Sequence, residues 1–236
     1  LGMTKKCLVL DLDNTLWGGI IGEDGLEGIK LGLEPPGNAF YEFQRAIKSL
    51  HHKGILLALN SKNNWEDVET VFEKHPHMVL KKDDFACKKV NWRDKVENLR
   101  SIAEEVNIGL DSLVFVDDNP AERLLVRQQL PEVLTIDMPK EPALFTDALL
   151  RLDAFETLDV TTEDKKRREF YRAEVRRKSL RNEKADLNEF LKALQNKIEI
   201  RRVDDFSLPR VAQLTQRTNQ FNLTTKRYTE ADIMRF

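Results

Sequence analysis

The sequence predicts an α/β fold, a doubly wound parallel sheet, over residues 1–155 of a 236-residue chain. Continuous apolar runs, without the alternation of a half-exposed sheet, indicate strands that are buried on both faces. Segments with apolar residues at helical spacing alternate with these runs. Polar side chains directly follow several of the runs, which is typical of sheets that bind ligands beyond the carboxyl ends of their strands.

The predicted elements follow one another in strict alternation. Strands are predicted at residues 7–10, 55–59, 113–116 and 133–136, and helices at residues 38–52, 64–74, 94–107, from Pro120 onward, and 143–152. Residues 17–37, rich in glycine and proline, are expected to form a short flap with a small hairpin over residues 20–26. Neither the flap nor the segment between Ser61 and Lys95 is long enough for an inserted domain, so an open site is expected.

The remainder of the chain has a different character. Residues 156–196 are predicted as a basic helical linker, since residues 163–184 hold ten Lys or Arg against five acids. A solvated helix is the simpler interpretation, and a basic surface for an acidic partner is the alternative. Residues 197–236 are predicted as an incomplete α+β segment, with a strand at 197–203 and helices at 208–218 and from Thr229 onward.

Composition narrows the class of protein. Apolar residues make up 41% of the chain and charged residues 33%, with a net charge of −2, which gives no argument for a nucleic-acid or membrane partner. Two cysteines are too few for a disulfide framework or a cysteine-rich zinc site. No apolar run approaches the length of a membrane span and no signal peptide is recognisable, so a cytoplasmic location is expected. The oligomeric state stays open.

Two carboxylates come directly after the first predicted strand, in Asp11-Leu12-Asp13-Asn14-Thr15. Just past a strand end the chain can turn, so both carboxylates can converge on one substrate. One can then act as nucleophile and metal ligand, and the other as general acid and base. Oxygen ligands of this kind suit Mg²⁺, which keeps water and phosphate in its remaining positions. The pattern alone also fits a loop with solvated acids.

Two further groups are expected at the same edge of the sheet. Asn60 and Ser61 end the second predicted strand, and a hydroxyl with backbone N–H groups there forms either a phosphate cradle or an ordinary helix N-cap. Lys95 opens a predicted helix and would offset the charge of phosphate, with Lys88 and Lys89 as rivals on the preceding loop. A surface lysine is the alternative for all three.

The last group is Asp117-Asp118-Asn119, which follows the third predicted strand. Two acids that end a buried strand are costly unless they meet a cation. Each of these signals is weak or moderate by itself. Because four of them come in one order, each at or beside the carboxyl end of a strand, a phosphoryl-transfer site is the favoured interpretation.

On these motifs the sequence resembles the haloacid dehalogenase (HAD) superfamily, whose motifs are Asp-x-Asp-x-Thr, a Ser or Thr after the second strand, a Lys and terminal acids. The resemblance implies a HAD-type Rossmann-like fold and a Mg²⁺ cofactor. It implies that Asp11 is the nucleophile that becomes an aspartyl phosphate, and that Asp13 is the general acid and base with its backbone carbonyl on the metal.

The same resemblance implies the remaining roles. Asn60, Ser61 and Lys95 would hold the phosphoryl group, and Asp118 would be the metal-binding acid. Secondary candidates beside them are Thr15, Asn63, Asp117, Asn119 and Cys87.

Longer stretches resemble the FkbH-like branch of this superfamily. They are residues 11–19, 22–25, 91–92, 95, 97–99, 117–120 and 216–222. This closer resemblance implies removal of phosphate from 1,3-bisphosphoglycerate and loading of the glyceryl unit onto an acyl carrier protein in polyketide-type pathways. It also implies that residues 197–236 begin an acetyltransferase-like region, although no pyrophosphate-binding loop for acetyl-CoA is recognisable.

One position departs from that branch, in which a cysteine often stands between the two motif aspartates. Here the position holds Leu12. Cys7 is expected in the core of the first strand, and Cys87, on a predicted loop, is the candidate thiol that could approach Asp11.

Three hypotheses follow. The first is a HAD-type phosphatase or phosphotransferase acting on a small phosphorylated metabolite, with glyceryl transfer to a carrier protein as its alternative form. The second is a carrier-protein binding module without catalysis. The third, a basic-helix adaptor for nucleic acid, would require binding that depends on salt concentration.

Overall fold

A computed structural model describes residues 5–155, 199–217 and 226–235 of the chain. The chain divides into two compact units, residues 1–187 and 188–236. The predicted linker over residues 156–196 lies outside the described residues. The predicted domain boundaries at residues 155 and 197 stay predictions.

The first unit contains a five-stranded, wholly parallel sheet. Its strands lie in the order β3-β2-β1-β4-β5. Their bounds are Cys7–Leu10 for β1, Leu56–Ser61 for β2, Phe85–Val90 for β3, Leu113–Val116 for β4 and Leu134–Thr135 for β5. The central strand β1 is buried throughout, and this confirms the predicted α/β fold with a doubly wound parallel sheet.

Helices cover both faces of the sheet. They are α1 (Ile21–Gly28), α2 (Gly37–His52), α3 (Trp65–Lys74), α4 (Lys95–Glu105), α5 (Pro120–Gln129) and α6 (Phe145–Leu150). Alternate residues of β1 point to opposite faces: Leu8 and Leu10 belong to the core cluster that includes α2, α3 and α6, whereas Cys7 and Val9 belong to the cluster that includes α4 and α5. The two clusters fix the register of β1 and thereby the direction in which its last residues leave the sheet.

Strand β3 was not predicted from the apolar runs. Its sequence Phe85-Ala86-Cys87-Lys88-Lys89-Val90 carries two lysines, so it does not read as a continuous apolar run. The strand lies at the edge of the sheet, where Lys88 is exposed and Lys89 pairs with Glu105 of α4. Lysines are common on edge strands, which face solvent on one side.

The flap also differs from its prediction. The hairpin expected over residues 20–26 is wrong, because this stretch forms most of helix α1. The carboxylate of Asp24 accepts a hydrogen bond from the Ile20 N–H at 2.8 Å, and Gly25, at φ +68°, lets the backbone kink within the helix. An antiparallel bridge between Gly18 and Lys30 closes the base of the flap. Within residues 5–155, neither the flap nor the segment between Ser61 and Lys95 forms a separate domain.

The second unit is described only in part. It contains α7 (Leu208–Arg217) and α8 (Glu230–Ile233), near the two predicted helices, and Thr229 caps α8 in a capping box with Asp232. The strand predicted at 197–203 is wrong for the described residues 199–203, which have no regular structure. Among the described helices, none is long and apolar enough to cross a membrane.

Candidate active site

The candidate site lies at the carboxyl edge of the sheet, where β1, β2 and β4 end side by side. The Asp11 N–H donates to the Val116 carbonyl at 3.0 Å, which continues the pairing of β1 with β4 by one residue. This register places Asp11 beside the Asp117-Asp118 pair. Each of the three aspartates offers a carboxylate oxygen, and these oxygens lie within 4.8 Å of one another. The fold therefore brings together acids that are more than 100 residues apart in sequence.

Lys95 lies between two of these acids. Its Nζ is 3.0 Å from Asp11 Oδ1 and 2.5 Å from Asp117 Oδ2, and the residue is only 4% exposed. Burial by itself lowers the pKa of Lys95, but the charges of Asp11 and Asp117 outweigh it and raise that pKa. Lys95 is therefore a fixed positive charge beside the Asp11 carboxylate, which is the position predicted for it from the sequence.

The acids at this site repel one another. Burial, followed by the charge of Asp11, raises the pKa of Asp117 although Lys95 opposes the shift. The same two causes raise the pKa of Asp118 to about 6. Three clustered carboxylates with one buried lysine thus carry excess negative charge, which a divalent cation would neutralise.

The carboxylate of Asp13 is bound by the flap and by the loop after β2. Its Oδ1 accepts hydrogen bonds from Trp17 Nε1 at 2.9 Å and from the Ile21 N–H at 3.1 Å. Its Oδ2 accepts from Asn63 Nδ2 at 2.9 Å. The group of carboxylates that could hold a cation comprises Asp11, Asp117 and Asp118, and the Asp13 side chain lies between the flap and the loop after β2.

Ser61, the last residue of β2, and Asn63, in the loop that follows, are both buried, and Asn63 Nδ2 donates to Ser61 Oγ at 3.3 Å. The side chain of the neighbouring Asn60 bonds to helix α4, and its predicted part in phosphate binding stays a prediction. Its amide donates to the Lys95 carbonyl at 2.9 Å and accepts from Asn98 Nδ2 at 3.1 Å. Asn60 thus ties β2 to the first turn of α4 and positions Lys95.

Three residues organise the loop after β4. Thr15 Oγ1 accepts from the Asp118 N–H at 3.2 Å, which links the first motif to the last. Asn119 caps α5 by accepting from the Ala121 N–H at 2.9 Å. Arg123, 9% exposed, donates to the carbonyls of Asp117 and Asp118. Thr15 and Asn119 were secondary candidates. Both are uncharged, and their hydrogen bonds stabilise the loop after β4.

The sequence analysis assigned no role to Arg123 or to Asn98, although Asn98 lies within the stretch 97–99 that carries the resemblance. Arg123 stands in α5, three residues after the end of the motif at 117–120. Asn98 is four residues after Asp94, the N-cap of α4, whose carboxylate accepts from Val96 and Glu97 N–H groups. A polar residue on the buried face of a predicted helix was the available signal for Asn98, since such a side chain needs partners.

Cys87 is not on a loop near Asp11, contrary to prediction. It lies in β3, and its thiol packs in the same apolar cluster as Cys7 and Val9, with 2% of the residue exposed. Burial, with Glu105 nearby, raises the pKa of Cys87 to about 12. Leu12 is fully buried. The two cysteines of the chain are therefore core residues without thiolate character.

Comparison with solved structures finds similar proteins, among them a phosphatase domain. The chain is similar to the N-terminal part of a Bacteroides fragilis protein that contains a phosphatase domain and is complexed with Mg, at 47% sequence identity and a TM-score of 0.65. The match covers 67% of this chain and 42% of that one, so the chain spans less than half of its relative. No protein-family model and no curated protein matches the chain.

Proposed function

We propose that the protein is a magnesium-dependent phosphatase or phosphotransferase of the HAD type that works through an aspartyl phosphate on Asp11. One observation carries the proposal: Asp11 lies at the carboxyl edge of a parallel sheet, 3.0 Å from a buried Lys95 and clustered with Asp117 and Asp118. The similarity to a phosphatase domain complexed with Mg supports the reaction class and the metal.

The donor set fits Mg²⁺. This ion takes oxygen ligands in a compact octahedral shell and leaves positions for water and phosphate. Asp11 and Asp118 would hold it, together with the Asp13 backbone carbonyl, and Asp117 stands beside them paired to Lys95. Burial and then the charge of Asp11 raise the pKa of Asp118, and a bound cation would offset both effects. When bound, the ion would neutralise charge on the phosphoryl oxygens.

The chain's own residues then divide the reaction into two displacements. A carboxylate oxygen of Asp11 attacks phosphorus as the bond to the leaving oxygen breaks, and Asp13 gives a proton to that oxygen. Water next attacks the phosphoryl group, Asp13 takes its proton, and the bond to Asp11 breaks to release phosphate. Ser61 and Lys95 hold the phosphoryl oxygens through both steps.

The substrate is proposed to be a small phosphorylated metabolite. The finer assignment to the FkbH-like branch, with an acyl carrier protein as partner, stays a prediction. For covalent glyceryl transfer a thiol is needed near Asp11, and neither Cys7 nor Cys87, both buried in the sheet, supplies it. The hydrolytic form is therefore favoured over the acyl-transfer form.

A phosphate-release assay tests the proposal. Release from acetyl phosphate or p-nitrophenyl phosphate should require Mg²⁺ and be lost in Asp11→Asn, which keeps the shape of the side chain. An exposed substitution away from the site, Asp83→Asn just before β3, serves as the control and should keep full activity. Binding of Mg²⁺ without Asp11-dependent release from any phosphate ester would favour the non-catalytic module.

A further inference from the structure

An ion pair spans the candidate site. Lys62, directly after β2, places its Nζ 2.5 Å from Glu122 Oε1 in the first turn of α5. Strand β1 lies between β2 and β4 in the sheet. The pair therefore connects the loop after β2 with the first turn of α5, which follows β4, so its two residues come from either side of the strand whose end carries Asp11.

Lys62 differs from Lys95 in what it can bind. Lys95 is buried against two carboxylates, whereas the Lys62 side chain is 39% exposed. An ammonium group has three N–H donors, and Glu122 takes one of them through Oε1. Lys62 is thus held across the edge of the site by one hydrogen bond, with donor capacity left on its exposed side.

Glu122 is suited to hold that lysine in place. Its side chain is 14% exposed, and its second oxygen, Oε2, is buried without a hydrogen-bond partner in the described part of the chain. A buried carboxylate with an unpaired oxygen is costly unless a cation stays beside it. Glu122 therefore keeps Lys62 at the site in preference to letting it extend into solvent.

We propose that Lys62, positioned by Glu122, determines substrate specificity by binding a second anionic group, a carboxylate or a second phosphate, on the leaving group. The proposal rests on the proposed phosphatase function and names a substrate class for it. Lys95 serves the transferred phosphoryl group, and Lys62 serves the anion that departs with the leaving oxygen. A charge-assisted hydrogen bond of this kind is among the stronger polar contacts that a partly exposed lysine can make.

Three matched probes test the assignment: ethyl phosphate, with one anionic group; 2-phosphoglycolate, which adds a carboxylate; and ethylene glycol bisphosphate, which adds a phosphate. The full chain should prefer the last two through KM, by about tenfold. Lys62→Gln should remove the preference by raising KM for those substrates, and Glu122→Gln should reduce it in part. Whichever anionic probe loses more in Lys62→Gln identifies the preferred second group.

The control is Lys82→Gln, which breaks exposed ion pairs with Glu69 and Glu73 away from the site and should keep the wild-type preference. An unchanged preference in Lys62→Gln, or no preference in the wild type, would overturn the proposal while leaving the phosphatase function intact. Absence of Asp11-dependent hydrolysis with all three probes would overturn both. Unfolding midpoints of the variants show that the comparison is made between folded proteins.

Discussion

Lys95 is the residue on which the arrangement of charges depends. Its ammonium group is the nearest positive charge to both Asp11 and Asp117 among the described contacts, and all three residues are buried. The sequence predicted this lysine from its place at the start of a helix, but it could not predict the carbonyl contact from Asn60 that holds the helix start in place. Such side-chain contacts depend on how β2 meets α4 and have no local signature.

Lys95→Met is expected to lower the free energy of unfolding of the metal-free protein by about 3 kcal/mol, because it leaves buried carboxylates without their partner. Denaturant unfolding in the presence of a chelator measures the change. Lys89→Met is the matched control: its pair with Glu105 is more exposed, so the loss should be below about 1 kcal/mol. Equal losses in the two variants would contradict the central role of Lys95.

The acid pair gives a pH dependence with a definite sign. Because the folded pKa of Asp118 is raised to about 6, the folded metal-free protein binds more protons than the unfolded chain between about pH 4 and 6. Its stability relative to Asp118→Asn should therefore fall as pH rises through this range and level off above it. Urea unfolding of both proteins with chelator measures the difference. A wild-type stability that rises with pH relative to that of Asp118→Asn would contradict the raised pKa.

The affinity for Mg²⁺ should have the opposite pH dependence to the stability of the metal-free protein. Since the ion binds ionised carboxylates, its affinity should fall as pH drops below about 6, and binding should release protons. Calorimetric titrations of Mg²⁺ in buffers with different ionisation enthalpies count the protons released. Affinity that stays constant from pH 5 to 8 would argue against Asp118 as a ligand.

At the scale of elements, the flap acts on the site through Asp13. Trp17, fully buried, and the first residue of α1 both donate to Asp13 Oδ1. The sequence predicted a short flap at this place, and it predicted a hairpin within the flap because Asp-Gly is a frequent hairpin turn. Asp24 instead bonds back to the Ile20 N–H within a helix, and that side-chain contact decides between the two structures.

Trp17→Phe keeps a ring in the core and removes the indole donor to Asp13. We expect kcat to fall by about tenfold with little change in KM, because Asp13 would lose orientation for proton transfer while phosphate binding stays intact. Steady-state kinetics on p-nitrophenyl phosphate separates the two parameters. The control is Trp65→Phe in α3, and a fall of equal size there would show a general packing effect.

Strand β3 shows where prediction from apolar runs fails. An edge strand is paired on one side only and is less covered at its end, so Lys88 and Lys89 are compatible with it. Without a continuous apolar run, the segment was interpreted as a loop. The central strands β1, β2 and β4 were predicted nearly to the residue, because burial on both faces demands continuous apolar sequence. Cys87 was misplaced for the same reason as β3.

At the scale of the whole molecule, the site belongs to the first unit. Every residue proposed for binding or catalysis lies within residues 11–122. We predict that a chain ending at residue 187 keeps Mg²⁺-dependent phosphate release with unchanged kcat/KM. Phosphate release by the shortened and full chains makes the comparison. A shortened chain that folds, by its circular dichroism and unfolding midpoint, but has lost activity would place part of the site in residues 188–236.

The most direct test of the central claim is the capture of the covalent intermediate. Asp13→Asn should still form the aspartyl phosphate with a reactive donor such as acetyl phosphate, but should hydrolyse it slowly, because no base activates water. Intact-protein mass spectrometry with Mg²⁺ should then show the mass of one phosphoryl group, and peptide mapping should place it on Asp11. No adduct in Asp13→Asn together with phosphate release that persists in Asp11→Asn would contradict the proposed mechanism.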